Sequence, residues 1–267
     1  MIRDQKAGGL HYLVADTLLD VPHCFSTRLG GVSGGVYASL NLGLHRGDEA
    51  ANVRENYRRL GQAVGFVPSQ TVFTRQVHTD QVLRVGRDDW GTGLERDQAE
   101  DCDALITDEP GTALCCFSAD CTPILLYDPV HRAIAAIHSG WRGTALGIVQ
   151  KTVEAMGCAF GTSPAHLRAA IGPCISQCCF ETDYDVPSAM IRALGDAGAQ
   201  AVEQTGMGKY HVDLKALNRA WLLQAGLRDE AIDISPLCTS CRQDLFWSHR
   251  RVGNARGSMA AIIALPG

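Results

Sequence analysis

The 267-residue chain has no block of lysines and arginines, and acidic residues outnumber basic ones 29 to 24, for a net charge of −5. That balance leaves no basic footprint for nucleic acid or an anionic membrane surface. No apolar run is long enough to span a bilayer. The opening "MIRDQKAGGLHYLVADTL" carries charges where a secretory signal needs an apolar core. The expected setting is therefore the cytoplasm, with no nucleic acid and no membrane as partner. Repeats, low-complexity tracts and Pro/Ser-rich linkers are also absent, so residues 1–267 read as a single domain. The glycine-rich "RLGGVSGGVYASLNLG" lacks the GK[ST] ending of a phosphate-binding P-loop.

Cysteine is plentiful. There are 11, an odd number, and two pairs are adjacent, Cys115–Cys116 and Cys178–Cys179. A disulfide framework shows an even count in a short secreted chain. Here the cysteines sit in apolar runs such as "TALCCFSADC", which suits reduced, buried thiols with a few left over for metal binding or nucleophilic chemistry.

Periodicity predicts helices over 52–65, with Asn52 as cap, Val53, Tyr57, Leu60 and Val64 on one face and Gly65 as stop. Further helices are expected from a Thr144 cap to Gly157, around "VPSAMIRALGDAG", and after Asp213 in "DLKALNRAWLLQAG". "TVFTRQVHTDQVLRV" has strand composition around His78. "DALITD", "TALCCFSADC", "PILLYD", "AIAAIHS", "LRAAIGP" and "SMAAIIALPG" read as strands, with a hairpin turn at 128–132. Strands come in blocks rather than in strict βαβ alternation, which favours α+β over a doubly wound fold.

The chemistry concentrates in "AIAAIHSGWRGTAL", Ala133 to Leu146. His138 ends a buried strand, and the glycines after it let a ligand approach the backbone. Arg142 and a helix start at Thr144 suit an anion. Trp141 suits a planar ring. A plain structural turn accounts for the same residues equally well. Cys121 precedes Pro123, which breaks regular strand pairing, and the hairpin at 128–132 folds Cys121 back beside His138. His78 sits among polar residues. Two histidines and one cysteine meeting at a point would bind zinc with an open fourth position, as a catalytic site does. The isolated pair Cys238–Cys241 ("CTSC") and the run "PCISQCC" (Cys174, Cys178, Cys179) are weaker metal signals. Arg28, Ser39, Asn41 and, from the first helix, Arg58 are polar groups suited to lining a site or to making turns.

In order along the chain, "FSTRLGGVSGGVYASLNLG", "GDEAANVRENYRRL", "QVHTDQV", "ADCTPILLYDP", "IHSGWRGTALGIV", "IGPCI", "CCFE" and "SHRR" resemble the YfiH-like family. These are laccase-domain or polyphenol oxidase proteins, known also as purine nucleoside phosphorylase and peptidoglycan editing factor. The resemblance covers nearly the whole chain and implies one α/β sandwich, with mixed sheets and flanking helices, similar to toxin-type Cys–His hydrolases. It implies one zinc on His78, Cys121 and His138, with copper as an alternative occupant. With Arg142, read from its own place beside the helix start, Cys121 and His138 are the candidate catalytic residues, and the substrates that the resemblance implies are phosphate and the purine nucleosides adenosine, inosine, guanosine and methylthioadenosine. Adenosine deamination is implied as a second activity. Copper-dependent phenol oxidation and Cys–His hydrolysis of peptidoglycan precursors stand as alternatives. Nine histidines without one H-x-H pair argue against a laccase-type multicopper centre.

Overall fold

A computed structural model describes residues 1–98 and 100–267. In chain order the strands are β1 (Ile2–Ala7), β2 (Leu10–Ala15), β3 (His23–Ser26), β4 (Thr71–Phe73) and β5 (Val82–Arg84). There follow β6 (Ala104–Thr107), β7 (Ala113–Ser118), β8 (Thr122–Asp128), β9 (Ala133–Ser139) and β10 (Arg168–Ile171). The last are β11 (Glu181–Thr182), β12 (Val202–Gly206), β13 (Lys209–Val212), β14 (Ile232–Ile234) and β15 (Met259–Ala264). The helices are α1 (Ala50–Val64), α2 (Trp141–Ala145), α3 (Ile148–Phe160) and α4 (Asp185–Leu194). They are followed by α5 (Asp196–Gln200), α6 (Leu214–Gln224) and α7 (His249–Val252).

Two six-stranded mixed sheets, ordered β1-β2-β3-β15-β7-β4 and β14-β10-β8-β9-β6-β5, are joined by a small sheet β11-β13-β12. The period of two along each strand explains the layering. In β9, Ile134 and Ala136 join the core between the large sheets, while Ala133, Ala135 and Ile137 join the core under α3, α4 and α6. In β15, Met259, Ala261 and Ile263 face the second sheet, and Ala260 and Ile262 meet Tyr57 and Leu60 of α1. Strands covered on both faces must be apolar at every position, which is why "AIAAI" does not alternate. The result is the expected sandwich of mixed sheets with flanking helices.

Several elements differ from expectation, each for a local reason. Helix α1 starts at Ala50, two residues before Asn52, with Glu49 at the cap; it ends where Gly65 turns left-handed at φ 98°. Thr144 does not cap the long helix. It lies inside the one-turn α2, where its hydroxyl donates back to the Gly140 carbonyl, and α3 begins afresh after Gly147 at φ 72°. Leu146 therefore points to solvent, and α3 runs past Gly157 to Phe160. Around His78 there is no strand: the segment between β4 and β5 is a loop, and His78 has φ 63°. Its backbone donors go to a side chain, described next. Asp213 caps α6 as expected, accepting from the N–H groups of Lys215 and Ala216.

Candidate metal centre and its pocket

His138 and Cys121 meet because β8 and β9 pair antiparallel in the register Pro123↔His138 and Thr122↔Ser139. The loop before β5 swings His78 onto the same spot. One ligand atom from each of His78, Cys121 and His138 lies within 4.8 Å of the others. The two imidazoles stand edge to face, with centroids 4.9 Å apart at 77°. Above them, Gly140 has no room for a side chain. A Cβ there would stand 2.5 Å from His78 Nδ1 and 3.2 Å from Cys121 Sγ.

Asp103, fully buried, organises this cluster. His138 Nδ1–H donates to its Oδ1 at 2.7 Å, which aims Nε2 at Cys121 and His78. The backbone N–H of His78 donates to the same oxygen at 3.1 Å. Oδ2 accepts the N–H groups of Val77 and Thr79 and the Thr79 hydroxyl, at 3.2, 2.7 and 2.9 Å. One carboxylate thus satisfies the loop's backbone donors in place of a sheet ladder, and in doing so holds His78 in its left-handed conformation. Sequence reasoning missed Asp103. Its one signal was an acid opening the otherwise apolar strand "DALIT".

The electrostatics follow from these contacts. Burial pushes Asp103 upward, but the bond from His138, its charge and the Thr79 donors outweigh this and hold the carboxyl near 2. Burial disfavours a charged His138, yet Cys121 and Asp103 raise it to about 9. His78 goes the other way, lowered by desolvation and then by the charge of His138. One neutral imidazole, one thiol and a second imidazole poised against a carboxylate form a donor set that suits one zinc or copper ion. The Asp–His–ligand relay is the usual support of such a ligand. A multicopper centre does not fit: among the described residues only His78 and His138 of the histidines belong to a cluster of three or more ligating groups.

His78 and Cys121 of this cluster line a cavity of about 490 Å³. Its lining combines apolar Trp141, Ile175, Phe180 and Leu214 with four arginines, Arg46, Arg142, Arg250 and Arg256. Arg256 is buried, and its Nε has no partner. Desolvation and then the nearby Arg46 lower it to about 10. Arg142 lies over the Trp141 ring at 4.3 Å. Asp120, at φ 94°, is the one carboxylate among the described residues that line the cavity. Both its oxygens are taken, Oδ1 by Thr239 and Oδ2 by Ser248 and the Arg250 N–H, so it positions Arg250.

The remaining sequence candidates are not brought to this cavity. Arg28 donates to the Ala38 and Gln243 carbonyls and stacks on Trp247. The Ser39 hydroxyl accepts the N–H groups of Gly30 and Gly31, and buried Asn41 ties Gly43 and Ser258 to Asp48. Arg58 lies exposed on α1, paired with Glu55. Each fixes the glycine-rich loop or the helix surface. Nor does a helix N-terminus near Thr144 face the cavity, since α2 begins at Trp141 and spans only five residues.

Residues 22–266 match the family described as multi-copper polyphenol oxidoreductase laccase. The chain belongs to that family. Among curated relatives, a purine nucleoside phosphorylase of Deinococcus radiodurans is 40% identical, covering 97% of this chain and 95% of that protein. A purine nucleoside phosphorylase of Bacteroides thetaiotaomicron is 37% identical, covering 96% of each. The solved structure of YlmD from Geobacillus stearothermophilus superposes with a TM-score of 0.92 at 36% identity, covering 98% of both chains. The laccase-like family description and the phosphorylase names of these relatives thus apply to one fold, and the site chemistry has to arbitrate between them.

Proposed function

We propose that this chain is a purine nucleoside phosphorylase working at a single metal site, with zinc on His78, Cys121 and His138. The observation that carries the reading is the mixed lining of one cavity: apolar and aromatic side chains of the right chemistry for a purine stand beside four arginines of the right chemistry for phosphate, with Arg142 over Trp141 and Arg250 over Phe180. The relatives' names agree with it. The substrates on this reading are adenosine, inosine, guanosine and methylthioadenosine, with adenosine deamination as a second activity. Residues 1–267 act as one catalytic unit, since the core between the two large sheets joins early, middle and C-terminal strands. A cytoplasmic setting suits a site that depends on a reduced thiol, and among the described residues no helix is long and apolar enough to cross a membrane.

In phosphorolysis a phosphate oxygen bonds to the ribose C1′ as the C1′–N9 bond breaks and the electron pair leaves with the purine. Arg256 and Arg46 neutralise the incoming anion in a partly dry cavity, where charge–charge attraction is strong. Arg250, fixed by Asp120, and Arg142 complete the anion's surroundings. Trp141 and Phe180 exclude water and orient the base. A cation held by the three ligands would supply Lewis-acid charge at the reacting centre. Asp103 keeps His138 turned toward that point throughout.

The test is metal content coupled to phosphate-dependent release of hypoxanthine from inosine. One zinc at this site and release that requires phosphate support the reading. Release unchanged in a His78→Ala, Cys121→Ala variant would remove the metal from it. A second reading, a hydrolase with Cys121 as nucleophile and His138 as base, draws on the Cys121–His138–Asp103 alignment. It requires activity in metal-free protein and its loss on thiol alkylation.

A further inference from the structure

About the C-terminal side of the cavity lies a cluster the proposed reaction does not use. Cys178 and Cys179, in the turn after β10, meet Cys238 and Cys241, in the segment after β14. The two weak cysteine motifs are thus one feature in space. Their four sulfurs all lie within 4.8 Å of one another. Individual separations are 3.8 Å for Cys178–Cys179, 3.7 Å for Cys178–Cys241 and 3.4 Å for Cys179–Cys241. We infer that these four cysteines form a second metal site, a closed structural zinc site separate from the His78–Cys121–His138 cluster.

Geometry decides between zinc and its competitors. A disulfide needs sulfurs about 2.05 Å apart, well inside the closest pair here. Four thiolates around one tetrahedral zinc, each about 2.3 Å from the metal, lie roughly 3.8 Å from one another. The separations match that edge. Four cysteines also close the coordination sphere, as structural sites require and catalytic ones do not.

The surroundings are built for thiolates. The backbone N–H groups of Ser176, Ser240 and Cys241 are directed at the Cys238 sulfur. The last two come from within the Cys-Thr-Ser-Cys turn itself, so the turn wraps its own first sulfur. Such donors orient a metal thiolate and spread its charge. Four thiolates and one zinc leave two negative charges. Arg251 reaches the Cys179 sulfur at 4.0 Å, and buried Lys215 donates to Ser176 and to the Leu237 carbonyl beside Cys238. Two cations thus stand where two charges need balancing.

The site would clamp one wall of the cavity. Arg250 donates to the carbonyls of Cys179 and Glu181, and Phe180 follows Cys179 directly. Both line the cavity. A metal joining the 178–179 turn to the 238–241 turn therefore holds an arginine and an aromatic of the pocket in place without touching substrate. This assignment does not depend on the proposed reaction.

The experiment is zinc analysis of the full chain, loaded with zinc and freed of excess. Two zinc per wild-type chain are expected. His78→Ala should keep one, and a Cys178→Ser, Cys241→Ser variant should also keep one. Zinc X-ray absorption on His78→Ala should show four sulfurs near 2.3 Å. That measurement reads the cysteine site alone, even if the cysteine variant does not fold. No zinc in His78→Ala overturns the inference. So does any thiol count below the chain's 11 in denatured, unreduced wild type, which would reveal a disulfide. Mixed nitrogen and sulfur ligation in His78→Ala, or iron in place of zinc, overturns it as well.

Discussion

Replacing Asp103 by Asn changes almost no volume but removes the charge at the base of the metal centre. Asp103 accepts five hydrogen bonds, from His138 Nδ1, the N–H groups of Val77, His78 and Thr79, and the Thr79 hydroxyl. An amide has one oxygen. Turned either way, its NH₂ faces N–H donors, leaving His138 and His78 or the Val77–Thr79 pair unsatisfied. Losing a partner that orients a metal-bound histidine lowers metal affinity about 10–100-fold, equal to about 1.4–2.7 kcal/mol. Stability falls as well. The Asp103 carboxyl is held near 2 against an ordinary value of 3.8, a shift of roughly 2 units, worth about 2 kcal/mol. The sign is that of a depressed acid. The contribution is present above pH 3.8 and is lost as pH falls toward 2. The assay is a zinc competition titration against a chromogenic chelator, paired with urea unfolding of the metal-free protein at pH 7 and pH 3. Asp103→Asn should bind zinc 10–100-fold more weakly, and its deficit in stability should shrink at the lower pH. Unchanged zinc affinity beside reduced stability would refute the claim that Asp103 orients His138 for a metal.

Four further outcomes follow from the same geometry. Gly140→Ala puts a Cβ 2.5 Å from His78 Nδ1, so its zinc content should collapse while its circular dichroism stays that of wild type; full zinc occupancy would show that the imidazole can step aside. Arg256→Met removes a buried cation whose Nη1 donates to the Gly257 carbonyl and the Ser258 hydroxyl while its Nε has no partner. Steady-state kinetics should show the phosphate KM raised about tenfold or more, equal to about 1.4 kcal/mol of lost binding, with the nucleoside KM nearly unchanged; equal rises in both would detach Arg256 from the anion. In metal-free protein His138 carries a proton up to about pH 9, against an ordinary 6.5. Its stabilising charge is then complete below pH 6.5 and is lost as pH rises through 9, so the melting temperature of the apoprotein should decline over that interval and that of the zinc form should not. Finally, a strong chelator should abolish phosphorolysis and added zinc should restore it, whereas activity that survives the chelator and vanishes on alkylation points to the Cys121 nucleophile.

The sequence by itself determined the layered architecture and most of the metal ligands' company. Runs such as "AIAAI" and "MAAIIA" are apolar at every position, and only strands covered on both faces can be so. The hairpin at 128–132 places Cys121 beside His138, because antiparallel strands of equal length bring their far ends together. Other features belong to groups far apart in the chain. His78 looks like a strand residue until Asp103, 25 positions later, takes up the donors around it, and local propensity has no means of sensing that competition. Arg28, Ser39 and Asn41 carry groups fit for a ligand, but the glycine-rich loop uses them all for its own carbonyls and N–H groups. The cavity gathers Arg46, Arg142, Arg250 and Arg256 in its lining, and no spacing along the chain marks them as neighbours. The four cysteines are the sharpest case: two short motifs, each weak alone, become one ligand set when the turns at 178–179 and 238–241 meet. Periodicity reports which face a residue presents to its immediate neighbours. Which distant groups share that space is decided by packing.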